Sequence, residues 1–77
     1  MLLLSKARIR IDRRGSVRVE GLLEPYAVRI RQFVAELGLR DATIRYRFGR
    51  YVFSRGLDPA VRQRLRNFLH NECPLRL

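Results

Sequence analysis

The chain has 77 residues, 17 of them Lys or Arg against 7 Asp or Glu, for a formal net charge of +10 with 47% hydrophobic residues. A chain of this length makes one domain with a thin core, since it buries only about 60% of its unfolded surface. That leaves no room for a second domain, a lidded cofactor site or a deep substrate cleft, and the apolar content is too high for a disordered basic tail.

Residues 7–11 alternate, with Ala7, Ile9 and Ile11 on one side and Arg8 and Arg10 on the other. Residues 17–20 continue the pattern with Val17 and Val19 against Arg18 and Glu20. Such a period of two marks half-buried antiparallel strands. A loop of Arg13-Arg14-Gly15 sets Ile11 opposite Val17 and Ile9 opposite Val19, keeping all four on one face. A loop one residue longer splits the apolar set, so the shorter loop is predicted, closed by Gly15 in the left-handed region. Pro25 then suits a first helical turn, and Tyr26, Ile30, Phe33, Val34 and Leu37 form one apolar helical stripe that stops at Gly38.

Alternation resumes over 42–48, with Ala42, Ile44, Tyr46 and Phe48 opposite Thr43, Arg45 and Arg47. Gly49-Arg50 is the expected turn, and Tyr51-Val52-Phe53 the fourth strand. Asp58-Pro59 is a helix start, and Val61, Leu65, Phe68 and Leu69 are that helix's stripe. Pro74 prevents its extension, and residues 72–77 read as a loose tail.

The order is strand, strand, helix, repeated once over about 7–38 and 42–71. At a shift of 35 residues Ile9-Arg10-Ile11 falls on Ile44-Arg45-Tyr46, Val17 on Val52, Gly21-Leu22 on Gly56-Leu57, and the run 29–34 on 64–69. An internal ββα duplication is the reading, with chance likeness between two amphipathic helices as its alternative. One ββα unit cannot cover its own faces, so two are expected to pack as a single α+β domain. The predicted fold is a four-stranded antiparallel sheet with both helices on one face.

Gln63-Arg64-Leu65-Arg66-Asn67, after a strand pair ending in Phe53-Ser54-Arg55-Gly56, resembles a family of small bacterial proteins known only as a domain of unknown function. The resemblance spans roughly residues 8–70. It implies a compact α+β domain and carries no activity.

With the apolar strand positions turned to the helices, Arg8, Arg10, Arg18, Arg45 and Arg47 share the opposite sheet face. Guanidinium is planar, permanently charged and shaped for bidentate phosphate contact, and neutralising phosphates releases counterions. Arg13 and Arg14 at the hairpin tip are second candidates. A solvated face in an arginine-rich coding background and an interface with an acidic protein are the competing readings. Arg29, Arg31, Arg62, Arg64 and Arg66 lie off the helical stripes, so basic charge surrounds the molecule, which suits phosphate-backbone binding better than base reading by one helix.

The aromatics divide two registers. A Gly49-Arg50 turn pairs Phe48 with Tyr51 and Tyr46 with Phe53, all inward. A three-residue turn pairs Tyr46 with Val52 and puts Tyr51 and Phe53 among the arginines, where they become base-stacking candidates. The inward register is favoured because exposing aromatics on a thin core costs several kcal/mol.

His70 and Cys73 have H-x-x-C spacing, but two ligands do not hold a metal, so a surface histidine and an incidental thiol are expected. Cys73 is the lone cysteine, which excludes an intramolecular disulfide and a zinc finger. The scattered carboxylates, with one histidine and no Gly-rich phosphate loop, assemble no acid–base pair, so neither enzyme, metal, cofactor nor small-molecule substrate is expected. Met1-Leu2-Leu3-Leu4 is shorter than a secretory h-region of roughly 7–15 residues or a membrane span of about 20. The expectation is thus a cytoplasmic, non-enzymatic module binding nucleic acid, RNA ahead of DNA, through arginine–phosphate contacts. The alternative is a protein-interaction or homodimerisation module, since a four-stranded sheet has two edges to pair.

Overall fold

A computed structural model describes residues 6–75; the apolar N-terminal run and residues 76–77 lie outside the described residues. The elements follow the predicted order: β1 Ala7–Ile11, β2 Val17–Gly21, a 3-10 turn Glu24–Tyr26, α1 Ala27–Leu37, β3 Ala42–Arg47, β4 Arg50–Phe53 and α2 Pro59–Glu72. The strands form one antiparallel sheet in the order β2-β1-β3-β4. Ala7, Ile9 and Ile11 of β1 and Ala42 and Ile44 of β3 are buried together with Ile30 and Val34 of α1 and Leu65 and Leu69 of α2. Both helices therefore cover one sheet face in an α+β fold, and the other face is open.

The first hairpin has the register that its apolar pattern demands, Ile11 opposite Val17 and Ile9 opposite Val19. Arg13-Arg14-Gly15 is its loop, with Gly15 at φ 88° and its N–H donating to the Asp12 carbonyl at 3.0 Å. The Asp12 carboxylate accepts from the Arg14 and Ser16 N–H groups at 2.9 Å. These bonds, the one from Ser16 foremost, hold its carboxyl below the usual range. α1 starts later than Pro25 suggests, because the chain first makes the 3-10 turn. It ends as expected, with Gly38 left-handed at φ 67° and the Leu39 N–H donating to the Val34 carbonyl at 3.2 Å. Asp58 caps α2, its carboxylate accepting from the Ala60 N–H at 3.1 Å.

The second hairpin follows neither sequence-based register. Tyr46 pairs with Tyr51 and Arg47 with Arg50, so the turn is Phe48-Gly49, with both residues at positive φ, 52° and 77°. These are the signs of a type I′ turn. Tyr46, Tyr51 and Phe53 still face the helices and pack half-buried around the core. Phe48 leaves the core and is 75% exposed, and Arg50 joins the ladder instead. The turn itself does this: a two-residue loop with both φ positive takes Phe48 and Gly49 out of the ladder and pairs Arg47 with Arg50.

The C-terminal segment also departs from the expected loose tail. Cys73 is fully buried, the Tyr26 hydroxyl donates to the Pro74 carbonyl at 2.7 Å, and Leu75 packs half-buried on the core. The thiol is thus a packing group at the end of α2, not an incidental surface one, and burial pushes its pKa up.

The two halves are related by a pseudo-twofold axis. β1 and β3 pair about Ile9–Ile44, residues that the 35-residue shift also equates, and Ala7↔Tyr46 maps onto Ala42↔Ile11. In the helix layer the equivalent Phe33 and Phe68 stack on each other, centroids 4.1 Å apart and planes within 3°. The hairpins break the relation. The second loop is one residue shorter, so Val17 corresponds to Tyr51 and not to Val52.

Gly21 and Gly56 are equivalent, at φ 78° and 90°, yet only Gly21 sits against backbone: a Cβ there would lie 2.3 Å from the Lys6 carbonyl oxygen, while at Gly56 the space is open. Gly56→Ala is expected to destabilise by about 1–2 kcal/mol through positive φ alone. Gly21→Ala is expected to cost at least about 1 kcal/mol more. Urea unfolding of the two variants measures the difference.

Candidate functional site

The open sheet face is set by strand parity. Side chains of Arg8 and Arg10 in β1, Arg18 and Glu20 in β2, Thr43, Arg45 and Arg47 in β3, and Arg50 and Val52 in β4 alternate with core residues and point away from the helices. All five arginines expected on one sheet face are brought together there. Arg50 is a sixth, missed because the glycine-first turn preference put it in the loop; the parity of Tyr51 and Phe53 extended back by one residue locates it.

The register places arginines directly across from one another: Arg8↔Arg45, Arg10↔Arg18 and Arg47↔Arg50. Like charges directly opposite on adjacent strands repel. The one carboxylate on this face, Glu20, is taken by Arg8, whose guanidinium meets it at 2.6 Å and 2.8 Å. That hydrogen bond, with the charges of Arg8, Arg18 and Arg10, holds the Glu20 carboxyl below its ordinary value. Among the described residues, Arg10, Arg18, Arg45, Arg47 and Arg50 have no carboxylate partner.

At one end of the face, Arg10, Arg13 and Arg18 line a shallow depression with Asp12, Asp41 and Thr43. Arg14 is exposed at the hairpin tip outside it. At the diagonal corner the exposed Phe48 ring lies 5.7 Å from the Arg47 guanidinium. Tyr51 and Phe53, the stacking candidates, lie on the helix side instead, apart from these arginines. The Tyr51 ring packs against Tyr46, centroids 4.8 Å apart, and burial pushes its hydroxyl up to about 12. Of the basic residues on the helices, Arg29 is bound to Glu72 at 2.5 Å, and Arg31 donates weakly to the Val17 carbonyl at 3.5 Å.

His70 is exposed while Cys73 is buried, and among the described residues no three His, Cys, Asp or Glu side chains gather where a metal would sit. No helix there is long and apolar enough to cross a membrane. The chain matches no family model, and neither a curated protein nor a solved structure is significantly similar to it.

Glu20 supplies a pH test. Its folded pKa is depressed below 4.5, so the stability it contributes is present above that pH and is lost as the pH falls through the folded value. Glu20→Gln is expected to lower the urea midpoint at pH 7, and its midpoint and that of the parent should converge on acidification below pH 4.5.

Proposed function

We propose that this protein is a non-enzymatic module that binds nucleic acid through its open sheet face, mainly by arginine–phosphate contacts, with single-stranded RNA its preferred form. The observation that carries the reading is the three directly opposed arginine pairs served by one carboxylate. A merely solvated face gains nothing from that arrangement, whereas a polyanion laid across the strands relieves the repulsion and meets planar, permanently charged donors. Same-face neighbours along a strand stand about 7 Å apart, so several guanidiniums reach one backbone at once.

Phe48 supports the single-stranded preference. A bulky residue at φ 52°, 75% exposed beside Arg47, fills a left-handed turn position that asparagine or glycine would occupy with less strain. An exposed ring at the corner of a basic face is a platform for an unpaired base.

Replacing Arg10 and Arg45 together by alanine is expected to weaken oligonucleotide binding at least about tenfold and to flatten the log–log salt slope by about 1.4 for a single strand. Filter-binding titrations across salt read both quantities, and unchanged affinity at low salt overturns the reading. Phe48→Asn is expected to move stability and binding in opposite directions. Asparagine tolerates positive φ, so the unfolding free energy rises by up to about 1 kcal/mol. Affinity for a single strand falls by about 1–3 kcal/mol for the lost stack, while duplex affinity is unaffected.

A further inference from the structure

The two halves treat their outer edges differently. At the β2 edge Arg31 of α1 reaches the Val17 carbonyl. Its repeat equivalent in α2, Arg66, makes no such contact and lies over the Phe53 ring, 5.0 Å from the centroid. Among the described residues no side chain or loop hydrogen-bonds the Tyr51 or Phe53 backbone at the β4 edge. Ser54 donates to the Thr43 carbonyl at 2.9 Å, so by alternation Val52 and Arg50 also bond toward β3, and the N–H and C=O groups of Tyr51 and Phe53 point outward. Alongside runs a depression lined by Arg50, Tyr51, Phe53, Arg62, Arg66 and His70, with no carboxylate in its lining.

We infer that the β4 edge and α2 form a docking groove for an extended acidic peptide segment of another protein, which adds to the sheet as a fifth strand. The free N–H and C=O groups repeat at the spacing of another peptide backbone, and aromatic side chains floor the groove. Arg62 and Arg66 on the helix side and Arg50 on the strand select carboxylates along the guest. A nucleic-acid strand fits worse, because it has no peptide ladder and Arg66 already covers the Phe53 ring, while Tyr46 and Tyr51 pack on each other. A second copy of this chain would set two +10 molecules edge to edge with Arg50 on both strands. This site shares no arginine with the open-face site except Arg50, so the two fail separately.

The test uses a fluorescein-labelled peptide of alternating glutamate and valine, a lysine–valine control, and a single-stranded oligonucleotide. Saturable binding of the glutamate peptide alone is expected, with slowed amide hydrogen exchange at Tyr51 and Phe53. Arg62→Glu with Arg66→Glu should lower that affinity at least about tenfold, whereas Arg10→Ala with Arg45→Ala should change it less than about threefold. Absence of saturable binding overturns the inference, as does binding that leaves the Tyr51 and Phe53 amides unprotected. Protection of those amides by the oligonucleotide, or by self-association without peptide, overturns it in favour of another occupant. The exchange measurement is made on the unaltered chain and so stands even if the charge-reversed variant fails to fold.

Discussion

The pairing of β1 with β3 about Ile9 and Ile44 is the contact on which the rest of the structure depends. Each ββα half has a helix and a two-stranded sheet too small to bury each other, and a lone hairpin is marginal in water. Joining the central strands antiparallel makes one continuous apolar face, and the same pseudo-twofold operation sets the helices side by side with Phe33 against Phe68. With β1 and β3 at the centre, β2 and β4 must be the edges. The outward residues of all four strands must then share one open face.

That face is where the charge is concentrated and least compensated. Had β1 and β3 been apart, Arg8 and Arg45 would not be neighbours, and the arginines would form two smaller patches. Pairing the halves brings like charge together at a cost that the buried isoleucines, valines and leucines below outweigh. On the helices, three arginines are engaged. Arg29 ties the start of α1 to the end of α2 through Glu72, Arg31 leans on the β2 edge, and Arg66 covers Phe53. The same residue type thus braces the helix layer and, Arg8 apart, stands without a carboxylate partner on the sheet layer among the described residues.

The departures from symmetry fall in the second half. A loop one residue shorter turns Phe48 out and draws Arg50 into the sheet, and Arg66 lies over Phe53 where its equivalent Arg31 meets the β2 edge. In the first half, the longer hairpin is fastened by Asp12 and its edge is met by α1. The duplicated architecture therefore presents one sheltered edge and one open one.

Local sequence pattern determined the element order, the first hairpin's register, the caps at Gly38 and Asp58, and the face of Arg8, Arg10, Arg18, Arg45 and Arg47, because each rests on local geometry: a period of two or 3.6, a left-handed glycine, an aspartate before proline. Tertiary structure decided the rest. Strand order could not be read from either half, since it is a contact between halves. The Phe48-Gly49 turn ran against residue preference: it sets Tyr46 against Tyr51 and Arg47 against Arg50, a pairing between strands that no single residue's preference fixes. Tyr51 and Phe53 face the core side, as the favoured inward register expected, but opposite Tyr46 and Ile44 instead of Phe48 and Tyr46. Cys73, unremarkable by spacing, became fully buried once α2 docked and Tyr26 reached the Pro74 carbonyl. Local pattern says which face a residue occupies; only packing between distant segments says what lies opposite it.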